Sequence, residues 1–183
     1  MFYRAFYLQG IFFGCLFCIA ACSPLAKDSA ADPLFELLPS SQTGIAFSNM
    51  VTDTKEMNIL NYHNFYNGGG VAIGDINNDG KPDVFFTSNQ GDSKLYLNKG
   101  NLAFEDITTK ANIVSKHKWH TGVTMVDINA DGWLDIYVCN AGTIAGDDRA
   151  NELYINQKNG TFTEQAELYG LNDKGASTQA VFF

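Results

Sequence analysis

The stretch GDINNDGKPD, residues 74–83, is followed 52 residues later by a near copy, VDINADGWLD, residues 126–135. Each copy crowds three aspartates and at least one asparagine around an Asp-Gly turn. Carboxylates held this close together repel one another unless an opposite charge lies between them. The repeated loop therefore predicts a positively charged partner at each of its two positions in the chain.

The spacing of the oxygen-bearing side chains indicates what that partner is. Counted from the first aspartate, they fall at positions 1, 3, 5 and 9, and the glycine at position 6 permits a sharp turn that points the position-7 carbonyl inward. Such an all-oxygen arrangement suits calcium (Ca2+), which takes about 6–8 oxygen ligands. We expect one calcium ion per complete loop. The candidate ligands are Asp75, Asn77, Asp79, the Lys81 carbonyl and Asp83 in the first loop, and Asp127, Asn129, Asp131, the Trp133 carbonyl and Asp135 in the second.

The loops differ from the binding motifs of an EF-hand and of other common metals. An EF-hand requires a bidentate glutamate at position 12, where these loops carry Phe86 and Val138. Zinc prefers His and Cys, which both loops lack, and magnesium demands strict octahedral geometry. One alternative to calcium remains, namely that Asp and Asn merely form Asx-turns in tight hairpins.

The loops belong to a longer internal repeat. The run at residues 70–89 matches the run at 122–141, and the run at 94–113 matches the run at 152–171. In the first copy, short β-type runs at 71–74, 84–87, 94–98 and 103–107 are separated by turn residues. Four short strands in about 50 residues are typical of one β-propeller blade, although two unrelated hairpins in a sandwich would also fit.

The motifs NGGGVAIGD, LYLN, LYIN and the two acidic loops resemble the FG-GAP/VCBS repeats of integrin-type β-propellers. The whole arrangement is similar to bacterial relatives of cartilage acidic protein, which carry such repeats and often end in an ASPIC/UnbV domain. The resemblance implies an all-β fold, a partial β-propeller with blades of four antiparallel strands, and calcium at the loop positions named above. Asn at both third positions departs from the family's Asp and lowers the ligand charge. Because a propeller typically closes with about 4–8 blades, we expect this chain to be a fragment of a longer protein.

The start of the chain predicts export. Residues 1–21 carry one base and then a short apolar run, as a signal peptide does, and Ile19-Ala20-Ala21-Cys22 resembles the lipobox of bacterial lipoproteins. We expect lipid on Cys22, a flexible tether over 22–34, and an incomplete propeller over 35–183. That propeller comprises repeats at about 68–113 and 120–171 and the start of a third at 177–183. The alternative is an ordinary signal peptide followed by a chance cysteine.

The functional expectation is a non-catalytic scaffold at the bacterial cell envelope, anchored by lipid. The outer membrane is favoured because Ser23 replaces the Asp linked to inner-membrane retention. The partner would be an unidentified protein or glycan, contacted by the insertion at 142–151. A net charge of −8 argues against nucleic acid. The alternative is a propeller, catalytic or not, within a polysaccharide-degrading enzyme.

Several single residues carry minor predictions. Cys139 is expected in the core, and Phe35-Glu36 is expected to form the last strand of a blade. His117 and His120 lack a third metal ligand nearby, so an exposed segment before a strand is favoured. His63 is expected among packed aromatics, where Tyr62, Phe65 and Tyr66 form either a stacking platform or core.

Overall fold

The structure, a computed structural model, describes residues 33–114, 119–142 and 149–183. Five predicted features lie wholly or mostly outside the described residues: the signal peptide over 1–21, the lipidated Cys22, the tether over 22–34, His117 and the insertion at 142–151. The chain forms two compact units, Met1–Leu37 and Leu38–Phe183. All the strands below lie in the second unit. No described helix is long and apolar enough to cross a membrane.

Two four-stranded antiparallel sheets make up the second unit, and they confirm the all-β prediction. In each sheet the strands follow one another in chain order, which is the meander of a propeller blade. Within the described residues the two sheets do not close into a ring. Blade 1 consists of β1 (Val71–Gly74), β2 (Asp83–Phe86), β3 (Lys94–Gly100) and β4 (Ala103–Asp106), and blade 2 of β5 (His120–Val126), β6 (Asp135–Asn140), β7 (Glu152–Asn156) and β8 (Phe162–Glu164).

The main core lies between the two blades. One face of each blade contributes buried side chains to a single apolar cluster that includes Phe85, Leu95, Ile136 and Tyr154. Burying each of these side chains stabilises the fold by roughly 1.5–3 kcal/mol. A blade sheet is apolar on both faces, so each blade depends on a neighbour to cover it.

Strand β6 is buried at every position, because it is covered on both faces. Its second face packs with Leu153 and Ile155, and residues from the stretch 171–182 cover this cluster. The ring of Phe182 lies edge-on to Tyr137 with centroids 5.4 Å apart. Cys139 belongs to the same cluster and is 1% exposed, so its prediction as a core residue is confirmed.

The stretch 177–183 lies alongside β5 in space, but it does not form a strand. The hydroxyl of Thr121 donates to the Ser177 carbonyl at 2.7 Å, and that of Thr124 donates to the Ala180 carbonyl at 2.7 Å. These side-chain bonds take the place of a backbone ladder. That this stretch begins a third repeat stays a prediction.

The glycines before and within the first strands have a packing role. A Cβ on Gly70 would meet the Thr121 carbonyl oxygen at 2.9 Å and the Gly122 Cα at 3.0 Å. A Cβ on Gly74 would meet the Leu134 side chain at 2.6 Å. Gly70 and Gly74 therefore let β1 approach blade 2 more closely than residues with side chains would allow.

The prediction of a strand at Phe35-Glu36 is wrong. Neither residue belongs to a strand, and Phe35 is 87% exposed. A fourth blade strand exists only when a third strand pairs with it, and no described strand pairs with these residues. The sequence pattern alone could not show that this partner is missing.

Candidate functional site

The two acidic loops connect β1 to β2 and β5 to β6, and they share one backbone conformation. Position 4 has a positive φ in both loops, 57° at Asn78 and 57° at Ala130. Position 6 also has a positive φ, 82° at Gly80 and 84° at Gly132. Ala130 adopts a conformation that costs an alanine free energy, so the shape is imposed by the rest of the loop rather than by its own preference.

The first aspartate of each loop organises the turn. Asp75 accepts hydrogen bonds from the backbone amides of Asp79 at 3.1 Å and Gly80 at 2.7 Å. Asp127 accepts the equivalent bonds from Asp131 at 2.9 Å and Gly132 at 2.8 Å. Positions 1, 5 and 6 are thereby drawn around one carboxylate.

The side chains at positions 3 and 5 contact each other in both loops. The Asn77 amide donates to Asp79 Oδ2 at 3.2 Å, and the Asn129 amide donates to Asp131 Oδ2 at 3.1 Å. Asp79 Oδ1 also accepts from the Lys81 amide at 2.9 Å, which is an Asx-turn. Asx-turns are therefore present in these hairpins. They do not exclude a metal, because each carboxylate oxygen has more than one lone pair.

A lysine ammonium lies on the position-5 carboxylate of each loop. Lys81 Nζ is 2.9 Å from Asp79 Oδ2, and Lys158 Nζ is 3.2 Å from Asp131 Oδ2. The two lysines come from different places in the repeat: one from the loop itself and one from the β7–β8 turn. In both loops, therefore, an ammonium group contacts Oδ2 of the position-5 aspartate, although the two lysines occupy different positions in the repeat.

These contacts change the pKa values of the two aspartates. The hydrogen bond from Lys81 lowers the pKa of Asp79 below its usual value. At Asp131, desolvation acts to raise the pKa, but the hydrogen bonds from Lys158, Trp133 and Asn129 together lower it. Both carboxylates are therefore held in the charged form that a cation requires.

The aspartate at position 9 is completely buried. Asp83 accepts hydrogen bonds from the backbone amides of Ile76 at 3.0 Å and Asn98 at 2.7 Å. Burial raises its pKa above the usual value, and the charges of Asp75 and Asp79 add to that effect. This residue ties the start of the loop to the next strand.

The position-9 aspartate of the second loop makes the same pair of hydrogen bonds. Asp135 accepts from the backbone amides of Ile128 at 3.1 Å and Asn156 at 2.8 Å, and burial likewise raises its pKa. Asn98 and Asn156 are the asparagines that end LYLN and LYIN. Their part in the loop was missed by sequence reasoning, although the repetition of this motif was a usable signal.

The two loops also contact each other. The Asn78 side chain donates to the Gly132 carbonyl at 3.0 Å, and the Asn156 side chain donates to the Ile76 carbonyl at 2.8 Å. The loops of neighbouring blades therefore form one continuous polar edge of the molecule.

The donor chemistry of both loops fits a hard cation such as calcium. Hydrogen bonds bring the side chains at positions 1, 3 and 5 together, and the charge of the position-9 aspartate acts on the same group. Across the part of the chain that the structure describes, no three His, Cys, Asp or Glu side chains form a ready metal-ligand group. The loops instead mix carboxylates with amide and carbonyl oxygens, which calcium accepts.

The structure contradicts the prediction that His120 lies in an exposed segment. His120 is 1% exposed, its Nδ1 is 2.5 Å from Ser93 Oγ, and its Nε2 is 3.3 Å from Glu152 Oε2. The imidazole links blade 1 to blade 2, a long-range contact that local sequence does not reveal. Serine, histidine and an acid in a row suggest nucleophilic catalysis, but Ser93 is only 3% exposed, so its hydroxyl is closed to a substrate.

The aromatic run before β1 divides between core and surface. Phe65 is fully buried, whereas Tyr66 is 60% exposed. The prediction that His63 packs among these aromatics is wrong, because His63 is exposed. The segment has one residue in the core and turns its neighbours outward, an arrangement set by its irregular backbone rather than by a strand or helix period.

The sequence of this chain is similar to known proteins over part of its length. Residues 58–138 match the model of the FG-GAP-like repeat, a span that begins ahead of blade 1 and continues into β6 of blade 2. This region is therefore similar in sequence to the FG-GAP-like repeat, and its strands lie within the two four-stranded antiparallel sheets.

The chain is also similar to cartilage acidic protein 1 of three vertebrates. It is 36% identical to the Xenopus tropicalis protein over 78 residues, which is 42% of this chain and 12% of the relative. For Mus musculus the identity is 34% over 73 residues, 40% of this chain and 11% of the relative. For Homo sapiens it is 34% over 76 residues, 41% of this chain and 12% of the relative. The similarity thus spans only a small part of each relative's length.

Proposed function

We propose that this protein is a calcium-stabilised, non-catalytic repeat scaffold that presents a surface to a protein or glycan partner. The observation that carries the proposal is the pair of acidic loops, which match in backbone, in hydrogen bonds and in the cation held at position 5. Two unrelated turns would have no reason to agree in all three respects. The match of residues 58–138 to the FG-GAP-like repeat supports an interaction scaffold.

The side chains at positions 1, 3, 5 and 9 and the position-7 carbonyl would hold one ion in each loop. When bound, calcium supplies two positive charges among three carboxylates. Extracellular calcium modules bind with Kd values of about 10⁻⁴ to 10⁻³ M, which would keep such loops filled outside the cell. Through Asp83 and Asp135, an ordered loop also fixes the following hairpin.

The proposed location is the bacterial envelope, with lipid on Cys22 as the anchor and the outer membrane as the favoured site. The lipobox-like sequence before Cys22 supports this. Several acyl chains on one residue hold a protein on a membrane where a single chain does not. The wider likeness to bacterial cartilage-acidic-protein-like lipoproteins belongs to the same proposal.

The test uses Trp133, at position 7 of the second loop. Terbium replaces calcium in oxygen sites and luminesces when a nearby indole is excited. Titration of terbium into the chain from Ser23 onward should give sensitised emission that calcium displaces. Asp131→Ala should abolish it.

Asp79→Ala is the matched control, because it removes the equivalent carboxylate from the first loop, where position 7 is Lys81. It should leave the Trp133-sensitised signal in place. Absence of emission from folded protein would reduce the second loop to an acidic turn, and the proposal of a matched pair of calcium sites would fail with it.

A further inference from the structure

A cavity of about 180 Å³ lies at the end of β1 and β5 opposite to the acidic loops. Gly68–Gly70, just ahead of β1, form one wall, and Thr121 and Gly122 at the start of β5 form another. Thr178 and Gln179 close the third side. The cavity therefore exists where two blades and the stretch along β5 meet.

Two aromatic rings form its base. Tyr62 and Trp119 are arranged edge to face with centroids 5.4 Å apart, and Phe65 packs against Trp119 with centroids 5.2 Å apart. Trp119 is 2% exposed and Tyr62 is half-buried. The base is thus apolar and rigid, so a ligand that settles on Tyr62 would not have to order it.

Side-chain amides surround this base. Asn64, Asn67 and Gln179 line the cavity. Within the described residues the side-chain amides of Asn64 and Asn67 make no hydrogen bond, whereas the Gln179 side-chain amide donates to Thr124 Oγ1 and to the Ala180 carbonyl, both at 3.3 Å. An amide offers two N–H donors and a carbonyl acceptor, so Asn64 and Asn67 can both give and receive hydrogen bonds, and the Gln179 carbonyl can receive them. Tyr62, which also lines the cavity, carries a phenol hydroxyl.

The cavity lining contains no charged side chain among the described residues. The cavity is therefore neutral, although the chain has a net charge of −8. An anionic ligand would find no basic group in this lining, and a cationic ligand would find no carboxylate. A wholly apolar ligand would cover the amides without satisfying them, which costs free energy.

We propose that this cavity is a binding subsite for one ring of a neutral saccharide. The C–H face of the ring packs on Tyr62, and its hydroxyl groups exchange hydrogen bonds with Asn64, Asn67 and Gln179. A volume of about 180 Å³ is below the roughly 300–1,000 Å³ of pockets for drug-sized ligands, which restricts the ligand to a single ring. This inference rests on the proposed function, since it names a glycan as the partner.

The test is saturation-transfer NMR with the methyl glycosides of glucose, galactose, mannose and N-acetylglucosamine. Glucuronate serves as the charged probe. Wild-type protein should give transfer signals from at least one neutral glycoside and none from glucuronate. Tyr62→Ala, and separately Asn64→Ala with Asn67→Ala, should weaken binding about tenfold or more, which corresponds to about 1.4 kcal/mol.

Tyr66→Ala is the matched control, because Tyr66 is an exposed tyrosine four residues along that does not line the cavity. It should bind like the wild type. The proposal is overturned if no neutral glycoside gives a signal, if glucuronate alone does, or if the signal survives in both cavity variants. A peptide that occupies the cavity while every glycoside is silent would overturn it too.

Terbium emission separates this proposal from the calcium scaffold. The acidic loops lie at the other end of β1 and β5, so Tyr62→Ala should keep the calcium-displaceable signal. A protein that binds terbium but no neutral glycoside would retain the scaffold function and lose only the saccharide subsite.

Discussion

At the scale of single residues, Asp83 and Asp135 have a structural role that their motif position does not reveal. Each is buried and accepts two backbone amides, one from its own loop and one from the next hairpin. A substitution here should therefore damage the fold even without calcium. The position-5 aspartates, Asp79 and Asp131, are more exposed and should matter mainly for the proposed ion.

Asp135→Ala should destabilise the metal-free protein, because it leaves the amides of Ile128 and Asn156 without their acceptor. Each unpaired buried amide costs roughly 1–3 kcal/mol. Urea unfolding in the presence of a chelator measures the loss. Asp131→Ala is the comparison, and it should lower the unfolding free energy by much less. Equal losses in the two variants would contradict the structural role of the two hydrogen bonds that Asp135 accepts.

Cys139 should be chemically inert in the folded protein. Burial raises the pKa of its thiol to about 11, and the side chain is 1% exposed. At pH 8 only about one thiol in a thousand is then the reactive thiolate. Iodoacetamide should modify the chain from Ser23 onward, in which Cys139 is the sole cysteine, only after unfolding in urea. Rapid labelling of the native protein would show that β6 is open on one face.

At the scale of elements, the two loops differ in the origin of their lysine. Lys158 reaches Asp131 from the β7–β8 turn, and in the first loop Lys81 supplies the charge from position 7. In the calcium sites that we propose, each ammonium would compete with the bound ion for the same oxygen. Removing it should favour the ion.

Lys158→Met should tighten terbium binding at the second loop. An exposed ion pair of this kind contributes little to stability, so the gain in affinity should be no more than about fivefold. The midpoint of the Trp133-sensitised titration measures it. Lys81→Met alters only the first loop and should leave this midpoint unchanged. A weaker midpoint in Lys158→Met would mean that the lysine supports the site instead of competing for it.

The elements also show what the sequence could and could not predict. Strand β1 has the predicted bounds, and the other strands of blade 1 lie within a few residues of theirs, because turn residues punctuate short apolar runs. The candidate calcium ligands could be named from the sequence in the same way, since their spacing is local, and their binding of calcium stays a prediction. The contacts of Asp83 with Asn98 and of His120 with Ser93 join residues far apart in the chain, and no local pattern specifies which distant groups will meet.

At the scale of the whole molecule, the close approach of β1 to β5 holds the blades together. It depends on glycines whose absent side chains leave room for backbone of the next blade. Contacts between two backbones cannot adjust to an added methyl group as flexible side chains can. The blade junction should therefore be sensitive to the smallest substitution.

Gly70→Ala should lower stability by about 1–3 kcal/mol, as overpacking does. Its Cβ would meet three backbone atoms of β5 at 2.9 to 3.0 Å. Thermal unfolding of the metal-free protein measures the effect. Gly91→Ala is the control, because its Cβ would meet only the Ser88 hydroxyl, at 3.1 Å. Equal melting temperatures for the two variants would show that the blades can separate slightly at no cost.

The link between Ser93, His120 and Glu152 has a consequence for how similar repeats keep their order. Tandem repeats of similar sequence are prone to misassembly and domain swapping during folding, within a chain or between chains. When the two repeats are aligned, Gly68 occupies the place of His120 and Asn151 that of Ser93. If blade 1 took the place of blade 2, Gly68 would stand where the His120 imidazole contacts Ser93 and Glu152, and those contacts would be lost. The junction therefore favours the correct order of the two blades.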